Sequence, residues 1–185
     1  MKVVIIGAGK IGYHLAKQLE NKVDELTIVN HQENEVTTKL QKEKFNVIIG
    51  IENTPKDKDI YILAVKDSVI SSVANQLKDI ILTDSLLVHT SGAIESSVLK
   101  AFNNYGVIYP LYSFTFSEPK IDWNKIPIFY ISNNATTDKK IYSICFKLNH
   151  SFIFKITDEQ KLKIHLLAVF ANNFTNALAH SIYQL

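Results

Sequence analysis

Residues 2–12 read KVVIIGAGKIG, and this stretch decides the fold. Five strand-like residues run straight into glycines at Gly7, Gly9 and Gly12, and an apolar helix pattern follows through Ile11, Leu15, Ala16 and Leu19. Gly7 permits the tight turn off the strand, Gly9 lets backbone amides approach a pyrophosphate, and Gly12 lets the helix pack closely on the sheet. The helix N-terminus, carrying Lys10 and Ile11, adds free N–H groups and a partial positive charge suited to a diphosphate. A glycine turn serving structure alone is the alternative reading. The strand before, the helix after and the position at the start of the sequence favour a dinucleotide-binding βαβ unit.

Strand and helix patterns alternate outward from this unit. Strands are expected near 2–6, 25–30, 46–49, 59–64, 85–89, 106–109, 127–132 and 151–156, and helices near 10–21, 33–44, 67–78, 93–103 and 137–147. Runs such as YILAV and LLVHT are nearly all apolar, as strands covered on both faces require. The pattern predicts a Rossmann-type α/β domain over residues 1–156, with a doubly wound, mostly parallel sheet. Residues 113–124, SFTFSEPKIDWN, read as an irregular loop.

From Asp158 the sequence changes character and runs to Leu185 without glycine or proline. Thr157 is a plausible N-cap, and Asp158 and Glu159 suit the positive end of a helix. Leu167, Phe170, Phe174 and Leu178 form an apolar stripe, while Lys161, His165, Ala168, Asn172 and Asn176 share another face. Residues 157–185 are therefore expected to begin an all-helical domain, apparently truncated. The stripe's partner would be further helical residues or a second subunit.

Composition narrows the function classes. Twenty basic and 18 acidic residues give a formal charge of +2 and are interspersed, which argues against nucleic-acid or membrane surfaces. The single cysteine, Cys145, lies between Ile144 and Phe146 and reads as a buried structural thiol in a reducing compartment. No apolar run approaches a membrane span, so a cytoplasmic protein is expected. His14, His31, His89, His150, His165 and His180 show no metal-ligand spacing with carboxylates or thiols, and no metal is expected.

The second strand ends in Asn30 and His31, where NAD-binding sequences carry a carboxylate for the ribose hydroxyls. Its absence favours NADP over NAD, although Glu33 is near and no arginine stands at the usual clamp position. Asn30 and His31 as plain polar turn residues is the competing reading. Ala64, Val65 and Lys66 follow the fourth strand and should border the cofactor, with Asp67 an N-cap for the next helix. Thr90, Ser91 and Gly92 follow the fifth strand, where a nicotinamide should lie. Ser91 lacks a nucleophile elbow, and His89 is expected to pack into the strand end.

GAGKIG, AVKDSVI at 64–70, VHTSGA at 88–93, YPLYSFT at 109–115 and the helix IHLLAVFANNFTNAL together resemble an uncharacterised family of Rossmann-like NADP-binding oxidoreductases. That family carries a C-terminal helical dimerisation domain and is related to the deazaflavin-linked NADP reductases and pyrroline-5-carboxylate reductase. Its members usually have His-Pro-Leu where this chain has Tyr109-Pro110-Leu111. The resemblance implies a homodimeric NADP-dependent dehydrogenase or reductase, with a small-molecule substrate bound between its two domains.

Hydride transfer to a carbonyl or imine leaves charge that a proton must neutralise. His165 is the candidate proton donor and Asn172 the candidate substrate-orienting residue. Lys161 could bind an anionic substrate but reads as a surface charge, and His165 with Asn172 could instead only bridge the domains. A non-catalytic NADP(H)-sensing module is the alternative function, with Phe114 and Phe116 filling the substrate space. A flavin or nucleoside-derived ligand in the same crevice is a third reading.

Overall fold

The computed structural model of the chain describes residues 1–117 and 121–174. An eight-stranded sheet forms the core in the order β3-β2-β1-β4-β5-β6-β7-β8. The strands are β1 Lys2–Ile6, β2 Glu25–Asn30, β3 Asn46–Ile49, β4 Ile60–Leu63, β5 Leu86–His89, β6 Asn104–Pro110, β7 Ile128–Ser132 and β8 Ile153–Lys155. All neighbouring pairs are parallel except β6 with β7, so the last two strands run opposite to the first six. This is the predicted Rossmann-like, mostly parallel α/β architecture. The helices are α1 Lys10–Leu19, α2 Glu35–Lys42, α3 Ile70–Leu77, α4 Ala135–Leu148 and α5 Asp158–Val169.

Alternation along β1 builds both faces of the core. Val3 and Ile5 join Leu15 and Leu19 of α1, Leu40 of α2 and Ile144 of α4, whereas Val4 and Ile6 join Ile70 and Leu77 of α3. Each fully buried Ile or Leu contributes about 2 kcal/mol, so the central strands must be apolar throughout. Cys145 is fully buried in α4, and burial pushes its thiol pKa up. The caps are local chemistry. Asn34 accepts from the Thr37 amide at 2.9 Å to start α2, and Thr157 with Gln160 forms a capping box at the start of α5.

Three local expectations need correction. The helix expected over 93–103 is only a 3₁₀ turn, Ser96–Leu99. The Ser91 hydroxyl accepts from the amides of Ala93 (3.1 Å) and Ile94 (3.0 Å), fixing a turn where a helix would have begun. Asp67 is no cap: it opens a 3₁₀ turn, Asp67–Val69, and α3 has no side-chain cap bond. The helix expected from Asp158 onward is α-helical only to Val169 and continues as a π-helical turn, Phe170–Phe174. Residues 175–185, with Asn176, Leu178 and His180, lie outside the described residues.

Candidate functional site

The strand order reverses between β1 and β4, and the crevice beyond their carboxyl ends is where open α/β sheets bind ligands. A cleft of about 530 Å³ lies there. Its floor is Gly7, Ala8 and Gly9, one wall is Asn30, His31 and Asn34, and the other is Ala64, Val65, Lys66 and α3. Among the described residues no carboxylate lines it; Glu33 does not reach the wall.

The three glycines divide by cause. Gly7 has φ +108°, and a side chain there would overlap the Ala64 carbonyl. At Gly12 a side chain would overlap the Gly7 carbonyl. Both are required by the packing of the turn itself. Gly9 differs: an added Cβ would meet nothing nearer than the Ala64 carbonyl oxygen at 4.0 Å, and its φ of −80° suits any residue. The fold gives no internal reason for glycine at that position. Gly9 also caps α1 without a side-chain hydrogen bond, and no acidic residue occupies the first turn, so the helix's positive end faces the cleft uncompensated. Lys10 is exposed there, while Ile11 turns toward the core without lining the cleft.

Asn30 is 5% exposed, and its carboxamide is committed: Oδ1 accepts from the Ala8 amide at 3.0 Å and Nδ2 donates to the Gln32 carbonyl at 2.7 Å. It ties the end of β2 to the glycine turn. His31 beside it is exposed on the cleft wall.

Thr90, Ser91 and Gly92 do not line this cleft. They form the next turn, where Thr90 donates its amide and its hydroxyl to the Leu63 carbonyl at 3.2 and 3.3 Å. His89 is fully buried as expected. Its Nδ1 accepts from the Ser91 amide at 3.2 Å, and Nε2 lies 3.3 Å from the Glu95 carbonyl. Burial first, and then the Lys161 ammonium, push its pKa down to about 4.

Helix α5 lies against this turn with its polar face inward. Asp158 accepts from the Ser96 amide (2.9 Å) and hydroxyl (2.6 Å), and Lys161 pairs with Asp158 at 3.2 Å and donates to the Ile94 carbonyl. Lys161 is 1% exposed, which overturns the surface-charge reading; burial lowers its pKa. Burial alone would raise the pKa of Asp158, but the Ser96 and Lys161 bonds together hold it low. One turn on, His165 Nδ1 is 3.0 Å from the Tyr109 hydroxyl, and the ring lies against Gly92, where a Cβ would overlap it. Asn172 donates to Ser113 Oγ at 3.0 Å. Meanwhile Leu162, Leu166, Leu167 and Phe170 of the same helix are exposed, Leu167 to 71%. A packed helix normally buries its apolar side; here the residues turned toward the sheet are polar and bond Ser96, Ile94 and Tyr109.

The structure thus gathers the glycine loop, Asn30, His31 and residues 64–66 in one cleft, and joins His165 to Gly92 at the neighbouring turn. Tyr109, Ser96, Ser113 and Asp158 were not singled out from sequence as site residues. The departure from His-Pro-Leu was the one signal that marked Tyr109. Among the described residues no cluster of His, Cys, Asp or Glu could hold a metal ion, and no helix is long and apolar enough to cross a membrane.

Residues 2–92 match the model of the family described as NADP oxidoreductase coenzyme F420-dependent. The fold is similar to a Bacteroides fragilis protein provisionally assigned as an NADP oxidoreductase, with TM-score 0.87 and 27% identity over 99% of this chain and 72% of that one. It is also similar to a Plasmodium falciparum pyrroline carboxylate reductase solved with NADP bound, with TM-score 0.70 and 18% identity over 98% of this chain and 67% of that one; this is likeness of fold alone. In sequence the chain is 30% identical over 117 residues to the NAD(P)+ glycerol-3-phosphate dehydrogenase of Fusobacterium nucleatum, covering 56% of this chain and 35% of the relative. The chain spans 35% or less of the length of the curated relatives it matches.

Proposed function

We propose that this chain, which through residues 2–92 belongs to the Rossmann-like NADP oxidoreductases, binds NADP(H) in the β1–β4 crevice and reduces or oxidises a small molecule held between the 90–92 turn and α5. The observation that carries the reading is Gly9, a glycine that the fold does not need and that a diphosphate does. The first-turn amides of α1, including those of Lys10 and Ile11, would bond the diphosphate with the helix dipole behind them. Ala64, Val65 and Lys66 would border the nucleotide, and Thr90, Ser91 and Gly92 would carry the nicotinamide. When bound, the cofactor supplies or accepts the hydride. His165 would provide the proton that neutralises the substrate, and Asn172 would orient it.

A cleft wall with His31 and, among the described residues, no carboxylate tolerates a 2′-phosphate, which supports NADP over NAD. Asn30 acts in this account by holding the turn. The sensing alternative needs Phe114 and Phe116 over the nicotinamide. Phe114 instead packs against Trp123 and His14 (ring centroids 5.6 Å from each), and Phe116 beside Tyr13 at 6.1 Å. We further read α5 as the start of a helical dimerisation domain, its exposed Leu167 and Phe170 facing a second copy of a cytoplasmic enzyme.

Calorimetric titration tests the reading. Micromolar NADPH binding, with NADH at least tenfold weaker, is expected; failure to bind either dinucleotide would overturn it.

A further inference from the structure

His165 and Tyr109 come from α5 and β6, 56 residues apart, and meet over Gly92. The Tyr109 hydroxyl has a single hydrogen-bond partner among the described residues, His165 Nδ1 at 3.0 Å. A hydroxyl carries one proton, and a neutral imidazole carries one N–H and one lone pair. If Nδ1 held the ring proton, the Tyr109 O–H would be left in a half-buried site without an acceptor. If Tyr109 donates, Nδ1 accepts and the ring proton must sit on Nε2. Burial raises the Tyr109 pKa and so preserves the O–H. Gly92 makes the arrangement possible, since an added Cβ there would stand 2.8 Å from Tyr109 Cζ and overlap the His165 ring. Nε2 has no hydrogen-bond partner among the described residues and is left for a ligand.

We infer that Tyr109 is a positioning residue that fixes His165 as an Nε2–H donor, and that the substrate therefore presents a lone pair there, as an aldehyde or ketone oxygen does. This rests on the dinucleotide reading above. Protonation of the ring adds Nδ1–H, which turns the inner bond toward the Tyr109 oxygen and leaves Nε2–H in place. An iminium nitrogen, with no lone pair, cannot accept from Nε2–H. In reduction, the carbonyl carbon gains the hydride from NADPH and the oxygen gains the Nε2 proton of the imidazolium. The ring is left neutral with its proton on Nδ1, facing the Tyr109 oxygen, until proton exchange with solvent restores the Nε2–H tautomer, and the dinucleotide is oxidised.

The test is two-bond ¹H–¹⁵N spectroscopy of the full chain with ring-¹⁵N histidine, at a pH where imidazole is neutral, with His165 assigned through His165→Gln. The wild type should show the Nε2–H tautomer. Tyr109→Phe, its fold checked by circular dichroism, should lower the Nε2–H to Nδ1–H ratio at least fivefold. An Nδ1–H tautomer in the wild type overturns the inference whether or not the variant folds, and so does an unchanged ratio in a folded variant. NADPH is then titrated into the same sample. Binding absent with Nε2–H present removes the dinucleotide reading and leaves the tautomer standing; binding present with Nδ1–H does the reverse.

Discussion

Replacing Gly9 by valine separates the needs of the fold from those of a ligand. The nearest atom to a Cβ at this position is 4.0 Å away and the φ of −80° is ordinary, so the protein should fold. The cost is limited to the poorer N-cap, about 1 kcal/mol. Binding should suffer far more, because the side chain occupies the approach to the first-turn amides of α1. Two charge-assisted amide–phosphate bonds, at about 1.5–3 kcal/mol each, correspond to a loss of at least about 100-fold in NADPH affinity. Gly12→Ala provides the contrast. Its Cβ would overlap the Gly7 carbonyl, so it should lower folding stability by about 2–3 kcal/mol or more. Urea unfolding and calorimetry with NADPH on both variants make the comparison. A folded Gly9→Val protein that binds NADPH as tightly as the wild type would refute the phosphate cradle.

Further outcomes follow from the same geometry. Asn30→Asp keeps the acceptor for the Ala8 amide but places a carboxylate on the cleft wall, so competitive titration should show preference moving toward NADH by about tenfold. His89 is held neutral with a pKa near 4, below its unfolded value of 6.5. Its contribution is complete above about pH 6.5 and is lost as pH falls toward 4, about 3 kcal/mol in all. Urea unfolding near pH 7 and pH 4.5 should show that loss in the wild type and a smaller one in His89→Asn. Lys161→Met breaks a buried pair and should cost about 3 kcal/mol, whereas Lys163→Met, whose pair with Glu159 is exposed, should stay within about 0.5 kcal/mol by the same assay.

What sequence alone disclosed was local or periodic. β1, β2 and β3 begin and end where the alternation of apolar residues and turns placed them. The Thr157 cap was visible because its partners lie within three residues. Lys161 was misread for the opposite reason. A lysine in the first turn of a helix is usually solvated, and its burial depends on Ile94, 67 residues earlier. Asp158 with Ser96 and His165 with Tyr109 are likewise long-range pairs. The 93–103 segment failed because the Ser91 hydroxyl outcompeted helix formation, which no periodicity reports. Asn30 was noticed for what it is not, a carboxylate, whereas its work as a tie between β2 and the glycine turn appears only in three dimensions.

The most direct test of the account is a crystal structure of the chain grown with NADPH. The account predicts the diphosphate over the Gly9 amide at the N-terminus of α1, and the nicotinamide between the Thr90–Gly92 turn and His165. A dinucleotide bound elsewhere, or a diphosphate in the crevice with the nicotinamide turned away from His165, would contradict it.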